Sequence, residues 1–159
     1  MISTWLPIAV AEPTNLTARG GMHVGSCLAG ISFLKGLGLV HAISHMVGAE
    51  FNTHHGLTNA VILPVVLRFN LPSMDDKVRR MAEAMKLPDH SVGGFIAAVE
   101  AMLDEIAIPK SLSEIGVTVN CAERIAGKAM KDSAARTNPR IATLVEVQAI
   151  TETAITKAR

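Results

Sequence analysis

Apolar residues recur every three or four positions along most of this chain, and no stretch shows the strict alternation of a half-buried strand. The pattern predicts a first long helix over Asn15 to Lys35, small and apolar through "GSCLAGISF" and broken at Gly36 and Gly38. Leu39 to Val47 reads as a second. The third, "HGLTNAVILPVVLRFN", is apolar on nearly every face, which marks a buried helix, and Pro64 stands where it should kink. A fourth opens at "LPSMDD", with Ser73 as N-cap and Asp75 and Asp76 at the positive end of the helix dipole. It ends near Lys86, before Pro88. Ser91 to Ile106 is amphipathic and stops before Pro109. Thr118 to Met130 starts on a capping threonine and turns Glu123, Arg124, Lys128 and Lys131 to water. Thr143 and Glu146 in "TLVE" make a capping box for the last helix, and the preceding "DSAARTNPR" reads as a polar, turn-like stretch. The expected fold class is all-α, a bundle of about six to eight helices forming one domain over residues 1–159.

Composition adds one warning to this picture. Apolar residues make up 49% of the chain and aromatics only 3%, so aliphatic side chains and methionine must fill the core. The mean hydropathy of +0.34 is high for a domain of this size. Such a chain is expected to bury surface against another domain or a second copy, with the third helix, Leu57 to Phe69, shielded by self-association in a homo-oligomer. A net charge of +1 gives no electrostatic footprint for nucleic acid or an anionic membrane. The start, "MISTWLPIAVAEP", lacks a basic segment and is cut by Pro7 and Pro13, so it does not read as a signal peptide. "LAGISFLKGLGLVHAISHMVGA" is apolar enough to suggest a membrane span, but Lys35, His41 and His45 are costly in hydrocarbon, and a buried helix pair is more economical. Cys27 and Cys121 form no metal or redox motif and suit a reducing, cytoplasmic setting.

The candidate chemistry lies in "HAISHMVGAEFNTHHG", His41 to Gly56, which holds four of the six histidines. His41 and His45 are four apart on a predicted helix, so both imidazoles leave one face, a spacing that can share a metal ion. Ala42 stands where the zinc metalloprotease motif has its glutamate, which excludes that class. His55 comes fourteen residues after His41, across a loop with Gly48 and Asn52, and can fold back toward it. Spacing alone favours His41 with His45 and leaves His55 as a further ligand. Imidazoles combined with hard oxygen ligands suit iron(II), zinc or nickel. Glu50 is poorly placed by spacing, and His54, His23 and His90 read as ordinary polar histidines. A catalytic metal site needs at least one more protein ligand than this stretch supplies.

"SFLKGLGLVHAISHMVGAEFNTHHGLTNAVILPVVLRFN" closely resembles the signature region of the iron-containing (group III) alcohol dehydrogenases, and the similarity continues through "NLTAR", "LAGISF", "SEIGV" and "TNPR". The resemblance implies the C-terminal helical domain of an enzyme that also has an N-terminal Rossmann-like nucleotide domain. It further implies metal in the cleft between the two, held by an Asp and a His of an early helix and by two signature histidines. Those two match His41 and His55. His45 matches a histidine near metal, substrate and nicotinamide, given a role in proton transfer or cofactor positioning. Phe33 matches an aromatic that borders the substrate in some relatives.

By the same resemblance the cofactors are iron(II), with zinc or another divalent metal as substitutes, and NAD or NADP; the substrate is a small alcohol or aldehyde. The chain departs from the family pattern in four respects. It opens at a point resembling one after the Asp and His ligands, and it contains no GxGxxG-like or GGGS stretch to cradle a pyrophosphate. Leu34 replaces the usual Gln before Lys35, and Ala134 stands where some relatives line the substrate pocket. The expected partner is therefore a nucleotide-binding domain, or a separately encoded half, and the 159 residues alone are expected to be inactive. The alternative is a non-catalytic helical module, for interaction or metal binding, that keeps the scaffold.

Overall fold

Asn15 starts the first long predicted helix by accepting the Ala18 amide hydrogen on its side-chain oxygen at 3.0 Å. The computed structural model describes residues 1–159. All its regular structure is helical: α1 (Ile2–Ala11), α2 (Leu16–Ser32), α3 (Leu39–Phe51), α4 (His55–Asn70), α5 (Asp75–Ala84), α6 (Val92–Glu105), α7 (Ala122–Ala129) and α8 (Leu144–Thr156), with short 3-10 turns between. Contacts divide the chain into two compact units, Met1–Gly36 with Asp76–Ala107, and Leu37–Asp75 with Ile108–Arg159.

In the first unit α1 lies on α2. The pattern of residues did not predict α1, because Pro7 sits inside it and offers no N–H to the preceding turn. Glycines let the two helices approach. A Cβ on Gly21 would stand 2.3 Å from the Trp5 ring, and one on Gly25 would stand 2.9 Å from Ile2. Ala18, Val78, Ala82, Phe95, Val99 and Leu103 are the buried apolar residues of this unit. Its α2 leaves Leu16, Val24, Leu28 and Ile31 exposed. The fourth predicted helix is trimmed at both ends. Ser73 closes a 3-10 turn, Leu71–Ser73, rather than capping α5, and Lys86 takes a positive φ of 59° as Leu87 bonds back to Ala82.

The second unit contains the larger core. Leu39, Ile43 and Val47 of α3 meet Val61, Ile62 and Val66 of α4, Ile125 and Ala129 of α7, and Val147, Ile150 and Ile155 of α8. Helix α4 buries Val61, Ile62, Val65 and Val66 in the core that it shares with α3 and α8 of its own unit, and leaves Leu57, Leu63, Leu67 and Phe69 half-buried. It also runs through the buried Pro64 as one uninterrupted helix. Thr118 does not cap α7: its hydroxyl bonds Asn120, a 3-10 turn intervenes, and α7 starts at Ala122. The Thr143–Glu146 capping box is present as predicted. No single helix is long and apolar enough to cross a membrane.

Candidate metal centre

The turn between α3 and α4 assembles the histidines. Asn52 ends α3 in the left-handed conformation (φ 51°, ψ 37°), tolerated by asparagine better than by most side chains, and its N–H bonds Gly48. His54 then caps α4, its Nδ1 accepting the Leu57 N–H at 3.3 Å. Thr58 ties the turn together, its hydroxyl donating to the His54 carbonyl and sharing a hydrogen bond with the Thr53 hydroxyl. His55, first residue of α4, is thereby returned to face the side chains that leave α3. The ring centroids of His41, His45 and His55 lie 5.3–5.8 Å apart, with the last two stacked.

The two contacts made by Asn59 show where the ring nitrogens point. One turn beyond His55, its amide nitrogen lies 3.3 Å from His41 Nε2 and 3.0 Å from His55 Nε2. The two Nε2 atoms therefore converge on one small polar group. Burial, and then the neighbouring His55 and His45, lower the His41 pKa, with Asp132 opposing. A neutral imidazole is the form that binds metal. Two convergent imidazole nitrogens fit half of a divalent site. No three His, Cys, Asp or Glu side chains of this chain are arranged to hold a metal ion.

His45 has a different partner. Its Nδ1 lies 3.0 Å from Asp132 Oδ2, while Asp132 Oδ1 accepts the Ala134 N–H at 2.8 Å. Burial resists the charge on Asp132, but the bonds from His45 and Ala134 outweigh it and hold its carboxyl below the usual aspartate range. The loop that carries Asp132 is latched to the start of α3. Gly38 N–H donates to the Ala134 carbonyl, Leu37 N–H to Thr137, and Leu39 N–H to Asn138 Oδ1. Asn138 also exchanges two amide bonds with Asn70 at the end of α4, at 3.0 and 2.7 Å. Gly38 adopts a positive φ of 82°, and a Cβ there would stand 3.1 Å from Asn138 Oδ1.

The structure thus gathers His41, His45 and His55, whereas Phe33 lies in the first unit, 54% exposed in the 3-10 turn after α2. Glu50 is engaged by Arg124 and Lys128. Asp132 and Asn59 went unread in the sequence. Asn59 left a signal, since it stands four residues from His55 on one helix face. Asp132, separated from His45 by 87 positions, left none.

Residues 1–155 match the family described as Fe-containing alcohol dehydrogenase family, C-terminal. The probable alcohol dehydrogenase EutG of Escherichia coli strain K12 is 36% identical over 148 residues, which cover 92% of this chain and 38% of that protein. The NAD-dependent methanol dehydrogenase of Bacillus methanolicus is 34% identical over 165 residues, 98% of this chain and 42% of that protein. Among solved structures, a 1,3-propanediol oxidoreductase is similar with a TM-score of 0.93 and 36% identity, covering 97% of this chain and 42% of that one. The chain spans about two-fifths of the length of the relatives it matches.

Proposed function

Because the chain belongs to the iron-containing alcohol dehydrogenase family, matching its C-terminal part, we propose that it is the helical, metal-binding part of an enzyme that transfers hydride between a small alcohol or aldehyde and NAD or NADP. The observation that carries this reading is the convergence of His41 Nε2 and His55 Nε2 on one point, beside a third histidine held by a carboxylate. His41 and His55 are the metal ligands. Iron(II), or zinc or another divalent ion in its place, supplies Lewis acidity that lowers the pKa of an alcohol hydroxyl.

Alcohol oxidation releases a proton as well as a hydride. Asp132 accepts from His45 Nδ1, which fixes the ring and leaves its Nε2 as the nitrogen that takes up and passes on that proton. The same carboxylate stabilises the imidazolium once it forms, as orienting carboxylates do for catalytic histidines. Phe33 is assigned to the substrate border. The pyrophosphate cradle, the nucleotide domain and the remaining Asp and His ligands belong to sequence outside these residues, and the assembled enzyme is cytoplasmic and homo-oligomeric.

The assignment of ligands is tested by metal content. After anaerobic loading with iron(II) or zinc, His41→Ala and His55→Ala are expected to lose bound metal, and His45→Ala to keep it. Loss of metal from the His45 variant alone would reverse the assignment.

A further inference from the structure

Asn59 projects from α4 one turn after His55, and its side-chain nitrogen is shared between His41 Nε2 at 3.3 Å and His55 Nε2 at 3.0 Å. An amide NH2 group donates two hydrogen bonds and accepts none, so both Nε2 atoms must be acceptors. A neutral imidazole that accepts at Nε2 carries its hydrogen on Nδ1. We propose that Asn59 is a positioning residue of this site, holding His41 and His55 together in the Nδ1–H tautomer with bare Nε2 lone pairs aimed at one point. The proposal rests on the reading of these two histidines as ligands only for its use; the tautomer control stands on the geometry.

Three physical points support it. A metal–nitrogen bond of about 2.0–2.1 Å uses the same Nε2 lone pair that the amide hydrogen now occupies. Asn59 therefore keeps the rings in the form a metal requires, and must yield when metal arrives. Secondly, the amide presents its nitrogen end to both rings, that nitrogen lying within 3.3 Å of each Nε2 while Asn59 Oδ1 makes no hydrogen bond. Lastly, the control is selective. His45 shares a helix face with His41, yet its Nδ1 is held by Asp132.

Long-range proton–nitrogen NMR of the full chain at about pH 8.5, where imidazoles are neutral, reports which ring nitrogen carries hydrogen. The metal-free wild type is expected to show His41 and His55 in the Nδ1–H form. Asn59→Asp keeps the shape but presents acceptors, and should turn both rings to the Nε2–H form. Asn59→Ala should give tautomer mixtures in both rings, with His45 unchanged and the helical circular dichroism retained. Wild-type rings in the Nε2–H form, or rings that respond to neither substitution, overturn the proposal. Zinc ion alone, added to the wild type, addresses the ligand reading separately. If the tautomers respond to Asn59 but zinc leaves both Nε2 resonances in place, the role of Asn59 is upheld and the ligand reading falls. If zinc shifts both resonances but the tautomers ignore Asn59, the reverse holds.

Discussion

Asp132 meets His45 across 87 positions of sequence because the loop that holds it is latched to the residues that start α3. The carboxylate has two oxygens and uses one on each neighbour, the imidazole and the Ala134 amide, so it orients the ring without a free rotation of its own. Proton transfer by a positioned side chain is worth on the order of 100-fold. Asp132→Asn is therefore expected to lower kcat of the enzyme assembled around this chain by about that factor, with bound metal unchanged; steady-state kinetics beside metal analysis separates the two effects. The histidines themselves were legible in the sequence, since four of six fall in sixteen residues. Their pairing was not legible in the spacing. Spacing favours His41 with His45, whereas the structure aims His41 and His55 at one amide and gives His45 to a carboxylate.

At the scale of elements, signals that act within one turn were read correctly at Thr143 but not at Ser73 or Thr118, where 3-10 turns intervene. The capping box at Thr143 and Glu146 is such a signal, with Glu146 accepting from Thr143 while Arg140 pairs with its other oxygen. Thr143→Ala is expected to cost about 1 kcal/mol, seen as a lower urea midpoint. The Thr143 backbone bond, then its hydroxyl and Arg140, hold the Glu146 carboxyl below the usual glutamate range. A carboxyl depressed in the folded state stabilises it above the unfolded pKa, and the contribution disappears as pH falls through the lower, folded value. The urea midpoint should therefore decline below about pH 4, and Glu146→Gln should flatten that decline. Helix α1 shows the opposite case, an element made by its neighbour. Its apolar residues and internal Pro7 are unremarkable in isolation, and α1 is held where Gly21 admits the Trp5 ring. Trp5 is the only tryptophan, so its fluorescence reports this contact alone. Gly21→Ala should displace the ring and shift its emission to the red; unchanged emission would mean that the contact is not what seats Trp5.

For the whole molecule, the decisive fact is proportion. The chain spans about two-fifths of the relatives it matches and carries two convergent ring nitrogens, with no glycine-rich pyrophosphate loop. The 159 residues by themselves are expected to give no NAD- or NADP-linked alcohol oxidation, even when loaded with iron(II). Spectrophotometric assay of nicotinamide reduction checks this, and turnover by the chain alone would overturn it.

Helix periodicity, caps and breakers act between residues a few positions apart, so the sequence by itself determined the all-helical class, most helix starts and the histidine-bearing turn. The same locality explains what it left open. How much of its apolar surface α4 hides in its own unit depends on α3 and α8, which reach it only after folding. Which ring nitrogen faces the Asn59 amide and which faces a carboxylate depends on Asn59, Asp132 and the Asn70–Asn138 latch. Those hydrogen bonds join side chains as many as 87 residues apart, and direction at that range is a property of packing, to which periodicity along the chain is blind.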